Sequence, residues 1–172
     1  MTPMPERFRA LLFLNGIGLF VFSMLVGWHW MFALLGEIVL WPFVPPIDIQ
    51  IPGEERAWRM VHMEAITQGL LLMAWGLGGG FIRLGALAHR VFFWCALAAA
   101  WLFTVPPLFN ALFGTRGLAM GGGPFKGGLA NDIIFVVGWP PVMAVHVLMG
   151  LAVLGRAKAS FQTDSWMFGV EC

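Results

Sequence analysis

The sequence predicts an all-α integral membrane protein, a bundle of four transmembrane helices. Three observations carry that expectation. The chain of 172 residues is 59% hydrophobic and 11% charged, too little charge to cover a soluble domain of this length. Its charges cluster, with none between Arg9 and Glu37, Glu64 and Arg83, Arg90 and Arg116, or Asp132 and Arg156. Each gap is roughly 18 to 27 residues, and about 20 apolar residues cross a bilayer as a helix. Tryptophans partly flank these runs at Trp28, Trp30, Trp41 and Trp58, as interfacial aromatics do. The spans are expected at about residues 9–35, 54–81, 88–110 and 132–156, within a single domain.

The first span follows Arg7 and Arg9. It is too long for a signal-peptide core and has no small-residue cleavage pattern after it, so it reads as retained. The first loop, from Glu37 to Pro52, carries Pro42, Pro45, Pro46 and Pro52 and is expected to be extended and irregular. Pro52-Gly53 then breaks the chain, and Glu54-Glu55 suit the positive end of the second helix. The middle loop is short, around Arg83 to Arg90. The third loop, "GTRGLAMGGGPFKGG" at residues 114–128, has a backbone able to approach a ligand, but its composition favours a plain connector. The fourth span contains Trp139-Pro140-Pro141. Those prolines remove backbone donors and bend the helix, which either opens a cavity or is ordinary helix geometry.

Basic residues orient the bundle. Arg7, Arg9, Arg83, Arg90, Arg156 and Lys158 fall on one side, against Arg56, Arg59, Arg116 and Lys126 on the other. The first loop also carries Glu37, Asp48, Glu54 and Glu55. This pattern favours both termini in the cytoplasm. A net charge of +1 argues against a nucleic-acid partner. Cys95 falls inside the third span and Cys172 is the last residue, so no disulfide is expected.

Chemistry concentrates in "WRMVHMEAITQG", residues 58–69, where polar side chains stand at the mouth of the second span. Helical spacing places Trp58, His62, Ala65 or Ile66, Gly69 and Met73 on one face. The small residues leave a hollow in which a flat ligand fits beside the imidazole, although small residues also let helices pack closely. The bland role for a histidine in a membrane helix is a hydrogen-bonded contact; against that, ionisable groups in membranes tend to be functional. His89, beside Arg90, reads as interfacial. His29 lies at the outer end of span one, at the depth of His62. His146 lies about 14 residues past Asp132, roughly 20 Å deep at 1.5 Å per residue, and is mismatched with His62. Two readings therefore stand: a haem held between His29 and His62 that carries electrons, or a single-histidine site with an open face for Lewis-acid or oxygen chemistry. No zinc spacing, P-loop or activated serine is present. Glu64 points away from His62, pairing with Arg59 or forming a small polar network with Gln68.

The stretch "IPGEERAWRMVHMEAITQG" resembles the segment that leads into the second span of the styrene oxide isomerase family, and "TRGLAMGGGPFKGGLANDIIF" resembles that family's third loop. The resemblance implies a homotrimeric protein of the bacterial inner membrane with ferric haem b near subunit interfaces and the histidine matching His62 as its axial ligand. It implies an isomerase that converts a small apolar aryl epoxide to an aldehyde by Lewis-acid ring opening and a 1,2-hydride shift. The positions around the cofactor are then His62, Trp58, Gly69 and, for the propionates, Arg59 and Arg116, since arginine pairs with carboxylates bidentately. Gln68 stands where the family has an asparagine. The family's tyrosine in span three has no counterpart, because this chain has no tyrosine and reads "WLFTVPPLFN" there. Asn110 and Thr104 are the polar groups of that region, with Asn110 beside Gln68 as the catalytic candidates. The family's acidic residue falls in the alanines around Ala98 to Ala100. The haem-holding part thus carries over further than the substrate-holding part, and a membrane b-type cytochrome or a haem-binding accessory subunit is the alternative.

Overall fold

The structure is a computed structural model that describes residues 1–167; Cys172 lies outside these, as does the side chain of Lys158. Four long helices dominate: α1 (Glu6–Leu35), α2 (Glu55–Gly78), α3 (Ala86–Phe113) and α4 (Leu129–Met167). Two short antiparallel ladders accompany them, β1 (Thr2–Pro3) with β4 (Arg83–Leu84), and β2 (Glu37–Leu40) with β3 (Val44–Asp48). α1 packs along α2, α2 along α3, and α3 along α4. Among the described residues, three helices are long and apolar enough to cross a membrane: α1, α3 and the Leu129–Ala157 part of α4. α2 is not one of them, because His62, Glu64, Thr67 and Gln68 interrupt its apolar run.

Glycine sets the α1–α2 contact. A Cβ on Gly69 would come within 3.0 Å of the Gly16 carbonyl oxygen and 2.9 Å of the Phe20 ring. One on Gly76 would meet the Arg9 carbonyl at 2.8 Å. Backbones meet this closely in membranes because dispersion, and not water exclusion, drives helix association there. Arg9 then donates from Nε to the Gly76 carbonyl at 3.0 Å, answering one of the unpaired carbonyls at the end of α2. The core beside this contact gathers Leu12, Leu19, Leu72, Phe92 and Leu148.

One end of the bundle collects β1, β4 and the part of α4 around Gly155, which sits against Ile82 and Leu84. His89 belongs to this end. It lies in the first turns of α3, buried, with Nε2 2.9 Å from the Thr2 carbonyl. It pins the N-terminal segment, and is not a loop residue as its neighbour Arg90 suggested. Cys95 is a half-buried free thiol in α3.

Two loops are more ordered than their composition foretold. In the first, β2 and β3 pair Glu37 with Asp48 and Ile38 with Ile47, then shift register before Leu40 and Val44. Pro45 and Pro46 fall at that shift, where a missing N–H breaks no regular ladder. In the third, Asn131 is fully buried and stitches the glycine run together. Its Oδ1 accepts from the Gly117 N–H at 3.0 Å, and its Nδ2 donates to the Ala119 carbonyl at 2.8 Å. Gly117, Gly121, Gly122 and Gly123 have φ between 58° and 88°, the left-handed region that glycine enters without penalty.

Candidate functional site

His62 is half-buried on α2, facing α1. Its Nδ1 lies 2.8 Å from the backbone carbonyl of Ser23. A carbonyl only accepts, so Nδ1 carries the proton and Nε2 keeps the lone pair, the form that ligates a metal. The ring sits over Gly27, where a Cβ would come within 2.9 Å of Cε1. Trp30 closes another side, its ring 5.9 Å from the imidazole and tilted by 43°. His62 lines a hollow of about 570 Å³ with Phe20, Met24, Met31, Leu34 and Ile66, within the size range of small-molecule and cofactor sites. Apart from His62, Ser23 and the indoles of Trp28 and Trp30, the lining is apolar. The Trp30 Nε1 is buried without a partner.

The other expected site residues distribute as follows. Trp58 is buried and points into the bundle, donating from Nε1 to the Pro52 carbonyl at 3.1 Å. Its ring packs 4.4 Å from that of His29. His29 does not line the hollow, although its Nε2 is buried without a partner. Gly69 is filled by Phe20 and the Gly16 carbonyl, so it serves the α1–α2 contact, and the room beside the imidazole comes from Ser23 and Gly27. Arg59 is exposed one turn before His62 and makes no ion pair among the described residues. His146 faces outward from α4, its Nδ1 bonded to the Val142 carbonyl at 2.7 Å.

A second cavity, of about 350 Å³, lies between α2, α3 and α4. Pro106 and Pro107 of α3 line it opposite Gly138, Trp139 and Val142 of α4, while Pro140 and Pro141 do not line it. Glu64, Asn110 and Arg116 supply its polar wall. Glu64 and Gln68 share a side-chain hydrogen bond, one turn apart, while Gln68 Oε1 is buried without a partner. Asn110 organises the loop: its Oδ1 accepts from the Thr115 hydroxyl at 2.9 Å and its Nδ2 donates to the Arg116 carbonyl at 3.3 Å. Thr104 is buried, donating to the Ala100 carbonyl at 2.7 Å. Arg116 forms an ion pair with Glu54 at 3.0 Å and lies over the Phe125 ring. Both partners of that pair are partly exposed, so Arg116→Ala is expected to lower stability by less than about 1 kcal/mol. Thermal unfolding in detergent checks this, and a much larger loss would mean that Arg116 holds more than Glu54.

Sequence reasoning missed Ser23, Gly27 and Trp30, the α1 side of the hollow, and placed Glu64 in no cavity. The small residues Gly16, Ser23 and Gly27 recur at helical spacing, a signal that marks the close face of α1.

The comparison with curated proteins gives no match. The family model for styrene oxide isomerase matches residues 8–157, which takes in most of α1, all of α2 and α3, both ordered loops and the apolar part of α4. With the helical architecture and three helices able to cross a bilayer, the match assigns a membrane protein of styrene oxide isomerase type: the chain belongs to the styrene oxide isomerase family.

Proposed function

We propose that the protein is a haem b-dependent isomerase that converts an aryl epoxide of the styrene oxide type into the corresponding aldehyde. The observation that carries this reading is the state of His62. Its Nδ1 proton is held by the Ser23 carbonyl, which leaves Nε2 basic on a side chain lining an apolar hollow. These residues fit a haem: one imidazole in its ligating form, an apolar lining, and indole rings to pack on it. Bound ferric haem supplies a Lewis acid that polarises the epoxide C–O bond. His62 is the proposed sole protein ligand. Arg59, without an ion-pair partner among the described residues, and Arg116 are the proposed propionate partners. The apolar lining keeps water from the benzylic carbon as cationic character develops, where water would yield a diol. Gln68 and Asn110 are proposed to orient the substrate, Gln68 through its unpartnered Oε1.

We further propose that α2 crosses the bilayer as the fourth span, since its 24 residues pack along α1. The proposed orientation, supported by the basic residues at the shared end of β1 and β4, has both termini in the cytoplasm, in a bacterial inner membrane. The hollow opens outward past exposed Met24, Trp28 and Leu35, so a second copy in a homotrimer is the proposed cover. The bis-histidine cytochrome has one observation in its favour, the unpartnered Nε2 of His29. However, that ring packs on Trp58 and lies outside the hollow of His62.

Purified haem-loaded protein is expected to convert styrene oxide to the aldehyde, with no added reductant and no diol. Failure across a panel of aryl epoxides, with haem intact, refutes the enzyme reading.

A further inference from the structure

A helix carbonyl is ordinarily closed to outside donors. It accepts the N–H four residues on, and the side chain at that position leans back over it. Ser23 and Gly27 stand in this relation on α1. With no Cβ at Gly27, the imidazole of His62 enters the gap and reaches the Ser23 carbonyl at 2.8 Å. The three heavy atoms nearest to a Cβ there all belong to this ring: Cε1 at 2.9 Å, Nδ1 at 3.0 Å and Nε2 at 3.7 Å. The space at Gly27 is therefore the space of this one ring. Gly16, Gly69 and Gly76 of the α1–α2 contact differ, since a Cβ on each would also meet a backbone carbonyl of the facing helix within 3.0 Å.

We propose that Gly27 is the positioning residue for the axial histidine, setting both its orientation and its tautomer by opening the Ser23 carbonyl to Nδ1. This rests on the reading of His62 as the haem ligand. Any side chain at 27 pushes the ring off the carbonyl. The Nδ1 proton then has no fixed acceptor, and the tautomer protonated on Nε2, which cannot ligate through that atom, gains population. Outer partners of ligating histidines act in this way, and their loss costs about 10- to 100-fold in metal affinity.

The test uses the full chain, expressed with haem supply, as Gly27→Ala, His62→Gly, the double variant and Gly18→Ala. Gly18 is the control for α1 itself, because its Cβ would meet only Trp101 Cζ2, at 3.9 Å. Gly27→Ala is expected to lower haem affinity about 10-fold or more and to lower the iron–imidazole stretching frequency in resonance Raman spectra. Gly18→Ala should match wild type in both. In His62→Gly, free imidazole should restore the haem spectrum, and adding Gly27→Ala should raise the imidazole concentration required, because the free ring needs the same space beside the Ser23 carbonyl. If Gly27→Ala alone fails to assemble, the double variant should assemble, because the obstructing ring is gone. A Gly27→Ala protein indistinguishable from wild type, a Gly18→Ala protein equally impaired, or a double variant as defective as the single one overturns the inference. His62→Gly that keeps the wild-type spectrum without imidazole overturns the ligand reading itself. Loss in His62→Gly beside a normal Gly27→Ala overturns only the role of Gly27.

Discussion

His62→Ala is expected to abolish haem retention and to lower epoxide isomerisation by at least about 100-fold, since losing the ligand exceeds the effect of losing its outer partner. The fold should survive. The imidazole is half-buried and makes one hydrogen bond, to Ser23, a loss of about 1 kcal/mol. The ring leaves space on the edge of an existing hollow and not deep in the core. Haem content per chain, helical circular dichroism and aldehyde formation, measured on one preparation, separate these effects. A variant that folds, keeps the haem and turns over would remove His62 from the site.

Gly69→Val is expected to destabilise the bundle by about 3 kcal/mol, the upper end of overpacking effects. The new side chain meets the Gly16 carbonyl, which cannot swing away, as well as the Phe20 ring. Its signature should be the opposite of that of His62→Ala: a lowered melting temperature in detergent and poor assembly, with any folded fraction still binding haem. Normal melting with specific loss of haem would instead return Gly69 to the cofactor site.

The helices were legible because charge-free runs and bracketing arginines follow from bilayer physics. In the sequence α2 reads as a full span, although the polar residues that suggested a site lower its hydropathy below that of the other three helices. His62 stood out for that reason. Its partners did not. Ser23, Gly27 and Trp30 meet it only through the register of α1 on α2, which depends on Gly16, Gly69 and Gly76 together. Asn131 likewise looks like an ordinary helix-start residue, yet its amide orders a loop whose glycines alone imply a loose connector. The α3–α4 cavity needed Pro106 and Pro107 of one helix to face Gly138, Trp139 and Val142 of another, and no local pattern encodes that.

The most direct measurement is the absorption spectrum of the haem-supplemented protein beside that of His62→Ala, before and after adding an epoxide analogue. The account predicts a ferric haem with a single histidine ligand in the wild type, a spectral response to the analogue, and no specific haem in the variant. A colourless wild type, or a low-spin bis-histidine spectrum that vanishes in His29→Ala and ignores the analogue, would contradict it.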